Sequence, residues 1–328
     1  MVVIPDTQSY VDHSQNVFIL NNMMDWIVAD HERLDIALVL QEGDLVFQNG
    51  ARLGTMVTGD QGSRQQWRNV STAFHRLDGV VPYILALGNH DYGTTCAESR
   101  YTHFNEHFKP GGYHLTEPLF GGILAAMGPN AYGNRTLENA AYDFKAPDGR
   151  RLLVLSLEMG PRQAAVDWAK QTTNQAKYRD YTKLLLTHTY LYADGTRYDW
   201  ASKGESQSNN PHSYKGIADD VHDGEELWNE LVRVTPGMEM VFCGHVGGDM
   251  EDYLVSKNDF GENVHQIVFN AQFLPQAGQG WIRLLEFLPD GKTVHVRTYS
   301  PYLDEDGDPA TAGWRTGAVD DFSFELGS

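Results

Sequence analysis

Polar side chains that can bind metal ions follow five apolar segments of this sequence. These side chains are Asp6 and Gln8 after VVIP, Asp44 after IALVLQEG, Asn89 and His90 after YILALG, His188 after KLLLT, and His245 after MVFCG. In α/β proteins, ligands bind in the crevice beyond the carboxyl ends of the strands, so neighbouring strands would bring these groups together. Each residue alone could instead cap a helix or form a turn. Five such endings together predict a metal centre with mixed oxygen and nitrogen ligands.

The elements that must position these residues alternate between strands and helices. Apolar, β-branched runs predict strands at 1–5, 35–41, 80–87, 151–157, 183–187 and 239–243, and later at 264–270, 281–288 and 293–299. Apolar residues at helical spacing predict helices between the first two strands and at 64–77, 162–176 and 224–234. The alternation predicts an α/β fold built around buried sheets.

Composition and charge exclude several classes of protein. The 328 residues are 41% hydrophobic, enough for a substantial core, and carry a formal net charge of −19. Such a charge argues against a nucleic-acid backbone or an anionic membrane as the main partner. Cys96 and Cys243 are too few for a disulfide framework or a thiolate zinc site. No stretch is long and apolar enough to span a membrane.

The opening residues, MVVIPD, read directly as a strand and contain no signal-peptide pattern. Two locations remain open on this evidence. The protein is cytoplasmic, or it is periplasmic or secreted after removal of a leader.

The order and spacing of D-x-Q, GD, GNHD, TH and GH resemble the calcineurin-like metallophosphoesterases, in particular a bacterial branch of that family. The resemblance runs from Asp6 to about residue 250. It implies a four-layer α/β sandwich of two mixed β-sheets flanked by helices. It also implies a single domain over 1–328, in which 251–328 contribute C-terminal strands, and two divalent metal ions (manganese, iron or zinc).

The same resemblance implies a role for each metal ligand. Asp44 would bridge the two ions, with Asn89, His188 and His245 on one of them and Asp6 and Gln8 on the other. The sequence departs from the family on the second side, because Gln8 and Gly247 stand where the family has histidines. Two alternatives follow: Asp249 replaces a missing ligand, or the site is a weak, oxygen-rich one that suits manganese, magnesium or ferrous iron, or is empty.

Catalysis would follow the chemistry of that family. A hydroxide held by the metal ions would attack phosphorus, and His90 would donate a proton to the leaving oxygen. Asp91 would either orient His90 or serve only as a turn residue. Two long irregular stretches, 92–121 and 189–222, would contribute substrate contacts or pack as small cores of their own. The candidate substrate-binding residues there are Tyr92, Tyr190, Arg197 and His212.

The sequence therefore predicts a metal-dependent phosphoesterase that acts on a small phosphorylated organic substrate, with diesters favoured over monoesters. The rival hypothesis is a binding or scaffold protein that kept the fold but lost one metal site. Hydrolysis of a different ester through the same centre is a third possibility. His90 favours the enzyme, because a protein without catalysis has no need of a proton donor at that position.

Overall fold

The structure, a computed structural model, describes residues 1–54, 59–110, 122–246, 251–305 and 313–327. Within these residues the chain forms two mixed β-sheets of seven strands each, with helices packed on them. The predicted fold class is therefore confirmed.

The first sheet contains both ends of the described chain. Its strands are β1 (Val2–Ile4), β2 (Val39–Gln41), β3 (Tyr83–Leu85), β11 (Ile282–Phe287), β12 (Thr293–Tyr299), β13 (Trp314–Arg315) and β14 (Asp321–Glu325). The order is β13-β12-β11-β1-β2-β3, and β14 pairs with the remainder of β12. Strands β1, β2 and β3 are parallel, so their carboxyl ends reach the same edge.

The second sheet provides the remaining strand ends. Its strands are β4 (Leu124–Pro129), β5 (Arg135–Lys145), β6 (Arg151–Ser156), β7 (Thr182–Leu186), β8 (Met238–Cys243), β9 (Glu251–Lys257) and β10 (Asn263–Phe269). The order is β4-β5-β6-β7-β8-β10-β9, with β6, β7, β8 and β10 mutually parallel. Residues after 250 thus contribute β9 and β10 to this sheet and β11 to β14 to the other.

The α-helices of the described residues are α1 (Gln8–Val11), α2 (Val17–Asp30), α3 (Ser63–Phe74), α4 (Phe104–His107), α5 (Gln163–Thr173), α6 (Trp200–Lys203), α7 (Gly224–Leu227), α8 (Pro275–Gly278) and α9 (Pro301–Glu305). A π-helical turn, Trp228–Val232, continues α7. None of the helices in the described part of the chain is long and apolar enough to cross a membrane.

Strand β7 shows how the layers pack. Leu184 and Leu186 belong to the large core that includes the first sheet, whereas Leu185 packs with Val166 and Leu231 under the helical layer of the second sheet. Successive side chains of a strand point to opposite faces, so an uninterrupted apolar run suits a strand that is buried on both sides. The polar residue that ends such a run is then held at the buried edge of the sandwich.

Candidate metal centre

Four of the predicted ligands converge on one point at the strand ends. His188 Nε2 lies 3.2 Å from Asp44 Oδ2, 3.2 Å from Asn89 Oδ1 and 3.1 Å from His245 Nδ1. Asp44 and Asn89 follow strands of the first sheet, and the two histidines follow strands of the second. All four residues are buried. The centre therefore joins the two sheets at their shared edge.

Hydrogen bonds on the outer side of each ligand determine which atom faces inward. His188 Nδ1 donates to the carbonyl of Glu42 (2.9 Å), and His245 Nε2 donates to the carbonyl of Asn209 (2.9 Å). The Asn89 amide donates from Nδ2 to Cys96 Sγ (3.1 Å). Each inward atom is consequently a lone-pair donor, because a ring nitrogen opposite a donating N–H carries the lone pair in a neutral imidazole.

Electrostatics also favour a positive charge at this point. Burial alone would raise the pKa of Asp44, but His188 and His90 outweigh it and hold that pKa below its ordinary value. Burial lowers the pKa of His188, yet Asp44 and Asp6 together raise it to about 9. Burial and the charge of His188 lower the pKa of His245 to about 3. A proton on His188 Nε2 supplies that positive charge when no metal is bound, and a divalent cation can take the place of the proton among the lone pairs of Asp44, Asn89 and His245, so these residues suit a metal ion.

The glycines of the GD, GN and GH motifs allow the ligands to approach. A methyl group on Gly88 would collide with the Asp44 carboxylate, and one on Gly244 would collide with the carboxylate of Asp6. The ligands Asp44 (φ 51°) and His245 (φ 74°) themselves adopt left-handed backbone conformations. Such conformations in residues other than glycine cluster at functional sites, where the surrounding structure holds the strain.

The Asp6 side of the crevice differs from the four-ligand cluster. Asp6 Oδ1 accepts the backbone N–H of His245 (3.2 Å), and Oδ2 accepts the side-chain amides of Asn270 (2.9 Å) and Gln272 (2.8 Å). Gln8 lies beside it and donates to Gln272 Oε1. Burial raises the pKa of Asp6 to about 8, although His188 and the N–H of His245 act in the opposite direction.

Sequence reasoning missed Asn270 and Gln272. They follow β10, whose apolar run HQIVFNAQ ends on polar residues in the same way as the five segments that were recognised. That pattern would have found them, since β10 is parallel to β8 and its carboxyl end reaches the same edge.

His90 and Asp91 lie on the short turn after β3. His90 Nδ1 donates to the carbonyls of Phe47 (2.8 Å) and Thr95 (2.9 Å), while its backbone N–H donates to Asp44 Oδ1 (2.9 Å). The ring is half-buried and packs against that of Phe47, with 4.9 Å between centroids. With Nδ1 occupied, Nε2 is the ring atom left to exchange a proton with a ligand.

Asp91 is fully buried, and its carboxylate accepts hydrogen bonds from backbone N–H groups rather than from the His90 ring. Its carboxylate accepts the N–H groups of Gly88 (2.8 Å), Leu45 (3.1 Å) and Val46 (3.1 Å). Burial, and then the charge of Asp44, raise the pKa of Asp91 to about 7. The side chain thereby joins the loop after β2 to the loop after β3, and with them the ligands Asp44 and Asn89.

The four candidate substrate residues are engaged within the fold. Tyr92 and Tyr190 are buried and donate to Glu138 and Gln266 respectively, so neither ring rims the crevice. Arg197 is held by Gln266, Glu225 and Ser256 and lies over the Trp228 ring. His212 Nε2 contacts Glu226 at 2.8 Å. These contacts hold the two long loops against β5, β9, β10 and α7.

Gly247 and Asp249 lie outside the described residues. A second cluster with metal-ligand spacing, His212 with Asp223 and Glu226, does occur in the described part of the chain. There the carboxylates of Asp223 and Glu226 accept each other's backbone N–H groups at the start of α7. This reciprocal capping explains the cluster without an ion.

Together the two sheets and the cluster at their edge define a metal-binding α/β sandwich of the phosphoesterase kind. Residues 2–248 match the family of calcineurin-like phosphoesterases, and the chain belongs to that family. Its predicted membership is confirmed.

Among individual relatives, the uncharacterized protein YvnB of Bacillus subtilis is 27% identical over 330 residues. That match covers 99% of this chain and 21% of YvnB, so the chain spans about a fifth of that relative. Distant structural likenesses include GAP50, the anchor in the inner membrane complex of Plasmodium (10% identity, TM-score 0.47, 99% of this chain and 87% of that one). Another is the calcineurin-like phosphoesterase YfkN of Bacillus subtilis (13% identity, TM-score 0.39, 99% and 89%).

Proposed function

We propose that this protein hydrolyses phosphate esters with a divalent metal ion held by Asp44, Asn89, His188 and His245, and that it prefers diesters. The observation that carries the proposal is the convergence of three lone-pair atoms within 3.2 Å of His188 Nε2. Backbone carbonyls and Cys96 keep the donating atoms of these ligands turned away from that point. A ligand set arranged in this way is pre-organised for a cation.

When bound, the ion supplies Lewis-acid activation of a phosphate oxygen and of water. The chain's own contribution begins with proton transfer. His90 stands next to the ligand Asn89, and its backbone N–H is bonded to the carboxylate of Asp44, so its ring lies beside the centre. Two carbonyl acceptors keep Nδ1 protonated, and Nε2 delivers a proton to the departing alkoxide. The Phe47 ring beside His90 restricts the motion of the imidazole and keeps that atom in place.

The preference for diesters follows from charge. The charges that most affect the pKa values of Asp44, His188 and His245 are carboxylates and imidazoles of the site itself. Arg197 is already paired with Glu225. A diester brings one negative charge, whereas a monoester dianion brings about two near neutral pH and needs more positive charge around it. The formal net charge of −19 adds to this disadvantage.

The proposal is tested with purified protein, Mn²⁺ and two chromogenic esters, bis(p-nitrophenyl) phosphate and p-nitrophenyl phosphate. We expect metal-dependent release of p-nitrophenol from both, with the larger kcat/KM for the diester. Chelation should abolish the reaction, and returning Mn²⁺ should restore it.

Two results would count against the proposal. If the metal-loaded protein hydrolyses neither ester, the phosphoesterase proposal is wrong, and the two alternatives are a binding or scaffold protein and a hydrolase of a different ester. If the monoester has the larger kcat/KM, the phosphoesterase assignment stands but the diester preference is wrong.

A further inference from the structure

We infer that Glu98 positions the proton donor His90, and that it acts through the peptide group that joins Thr95 to Cys96. The inference rests on the proposed hydrolysis, because His90 is the proton donor of that reaction. Glu98 is an exposed residue of the loop after β3, and its carboxylate reaches the backbone of its own loop. It is therefore a positioning residue, since its effect on His90 passes through that backbone.

Both polar ends of the Thr95–Cys96 peptide group are hydrogen-bonded. On one side, the carbonyl oxygen of Thr95 accepts His90 Nδ1 at 2.9 Å. On the other side, the N–H of Cys96 donates to Glu98 Oε2 at 3.0 Å. A trans peptide group is planar, so its C=O and its N–H point in opposite directions. A carboxylate that fixes the N–H consequently also fixes the direction of the carbonyl that receives the His90 ring.

The same carboxylate organises the turn formed by residues 94–96. In addition to Cys96, it accepts the backbone N–H groups of Thr94 (2.8 Å) and Thr95 (3.0 Å) and the hydroxyl of Thr95. Successive N–H groups that converge in this way form a concave site for an anion. Burial alone would raise the pKa of Glu98, but the hydrogen bonds from Thr95 and Cys96 outweigh it and lower that pKa to about 2. The carboxylate is therefore ionised near neutral pH and suits the site that it occupies.

The turn is also joined to the second acceptor of the His90 ring. The carbonyl of Thr94 accepts the N–H groups of Gly50 (2.8 Å) and Ala51 (3.2 Å), which belong to the loop after β2. That loop carries Phe47, whose carbonyl accepts His90 Nδ1 at 2.8 Å. The two carbonyls that hold Nδ1 are thus connected to each other through the turn that Glu98 organises.

Loss of the Glu98 carboxylate should change the orientation of the proton donor. If the Thr95 carbonyl turns away, Phe47 alone holds Nδ1, and Nε2 is aligned less well with the leaving oxygen. The turn has a second contact with the site, because Cys96 Sγ accepts the amide of the ligand Asn89 at 3.1 Å. Rates are therefore compared at saturating Mn²⁺, which separates the alignment of His90 from any change in metal affinity.

The experiment compares two diesters that differ in leaving group, bis(p-nitrophenyl) phosphate and diphenyl phosphate, whose phenolate leaves less readily. For full-length Glu98→Ala, we expect kcat to fall about 3–10-fold with diphenyl phosphate, the worth of one hydrogen bond, and by less than about twofold with the nitrophenyl ester. Glu98→Gln should keep most of the wild-type rate, because its amide oxygen can still accept the N–H of Cys96. In a His90→Asn background, Glu98→Ala should cause no further loss, since the group that it positions is absent.

Asp194→Ala is the matched control. Asp194 likewise accepts a backbone N–H (3.0 Å) and a hydroxyl (2.6 Å) from one residue, Thr196, in an exposed turn, and its loss should leave both rates unchanged. Equal losses with the two esters in Glu98→Ala, or a loss that persists without His90, would overturn the inference while the proposed function stands. A Glu98→Gln protein as slow as Glu98→Ala would also overturn it. Hydrolysis of neither ester by the wild type would instead refute the proposed function, and the inference with it.

Discussion

Asp91 offers the sharpest test of how the centre is held together. The substitution Asp91→Asn keeps the size of the side chain and replaces one of its oxygens by an N–H donor. In the structure, Oδ2 accepts two backbone N–H groups, from Gly88 and Leu45, and Oδ1 accepts one, from Val46. The side-chain oxygen of the asparagine can accept the N–H groups of Gly88 and Leu45. The side-chain NH₂ group must then face the N–H of Val46.

The expected loss follows from these contacts. Asp91 is completely buried, so water cannot take over for the oxygen that is lost. Removing one acceptor leaves a buried backbone N–H unpaired, and two donors then face each other, which together cost roughly 2–4 kcal/mol. With an unfolding entropy of ~2.1 cal/mol/K per residue, the thermal midpoint of this chain should fall by about 3–6 °C.

The assay is thermal unfolding in the presence of a chelator, followed by a Mn²⁺ titration of the same protein. Metal affinity should also fall, because the loops that carry Asp44 and Asn89 lose their common anchor. Asp290→Asn is the matched control. Asp290 also accepts two backbone N–H groups, from Lys292 (3.0 Å) and Thr293 (2.8 Å), but in an exposed turn where water can replace it. If Asp91→Asn alters the pH profile of turnover while the midpoint and metal affinity match the wild type, Asp91 acts on His90 electrostatically and this reasoning is wrong.

Three further variants test individual atoms of the site. His188→Ala should lose the bound metal, measured as metal per chain after dialysis. The control His295→Ala, on β12, should retain it, and equal metal content in the two variants would show that His188 is not a ligand. His90→Asn should keep the metal yet lower turnover roughly 10²–10⁴-fold. The loss should be smaller for esters that release p-nitrophenolate, which needs little protonation, than for esters with poor leaving groups. Equal losses for the two kinds of ester would contradict proton donation. Gly88→Ala should weaken Mn²⁺ binding more than tenfold, because its methyl group collides with the Asp44 carboxylate; unchanged binding would show that the loop can move aside.

Much of the four-ligand cluster could be predicted because its information is local. Each ligand follows an apolar run, and the layer in which a strand lies is determined by the alternation of its side chains. Asp44, Asn89, His188 and His245 are all found at the buried edge, as the strand endings indicated. The strands themselves are shorter than predicted: β2 covers Val39–Gln41 where 35–41 was expected, and β3 covers Tyr83–Leu85 where 80–87 was expected.

Other elements escaped prediction because their signals are weak or non-local. The antiparallel strands β4, β5 and β14 carry polar, charged and glycine residues between the apolar ones, so they lack the long apolar run that identified β7 and β8.

The aromatic loop residues were assigned to the substrate because ring-rich loops suit that role. Whether a ring faces the crevice or the loop's own core depends on partners far away in sequence, such as Glu138 for Tyr92.

Gln8 shows most clearly why the type of a residue does not determine its role. Compared with the family pattern, a glutamine in place of a histidine indicates a weaker ligand, since an amide oxygen can still bind a hard cation. Its partner Gln272 is 264 residues away, and only the fold brings the two amides together. Once they meet, Gln272 holds its Nε2 towards Asp6, and the Asp6 carboxylate accepts hydrogen bonds from both Asn270 and Gln272. Gln8 Nε2 is engaged by Gln272, whereas its buried Oε1 has no hydrogen-bond partner among the described residues, so the fold decides which atom of the amide is left to bind a cation.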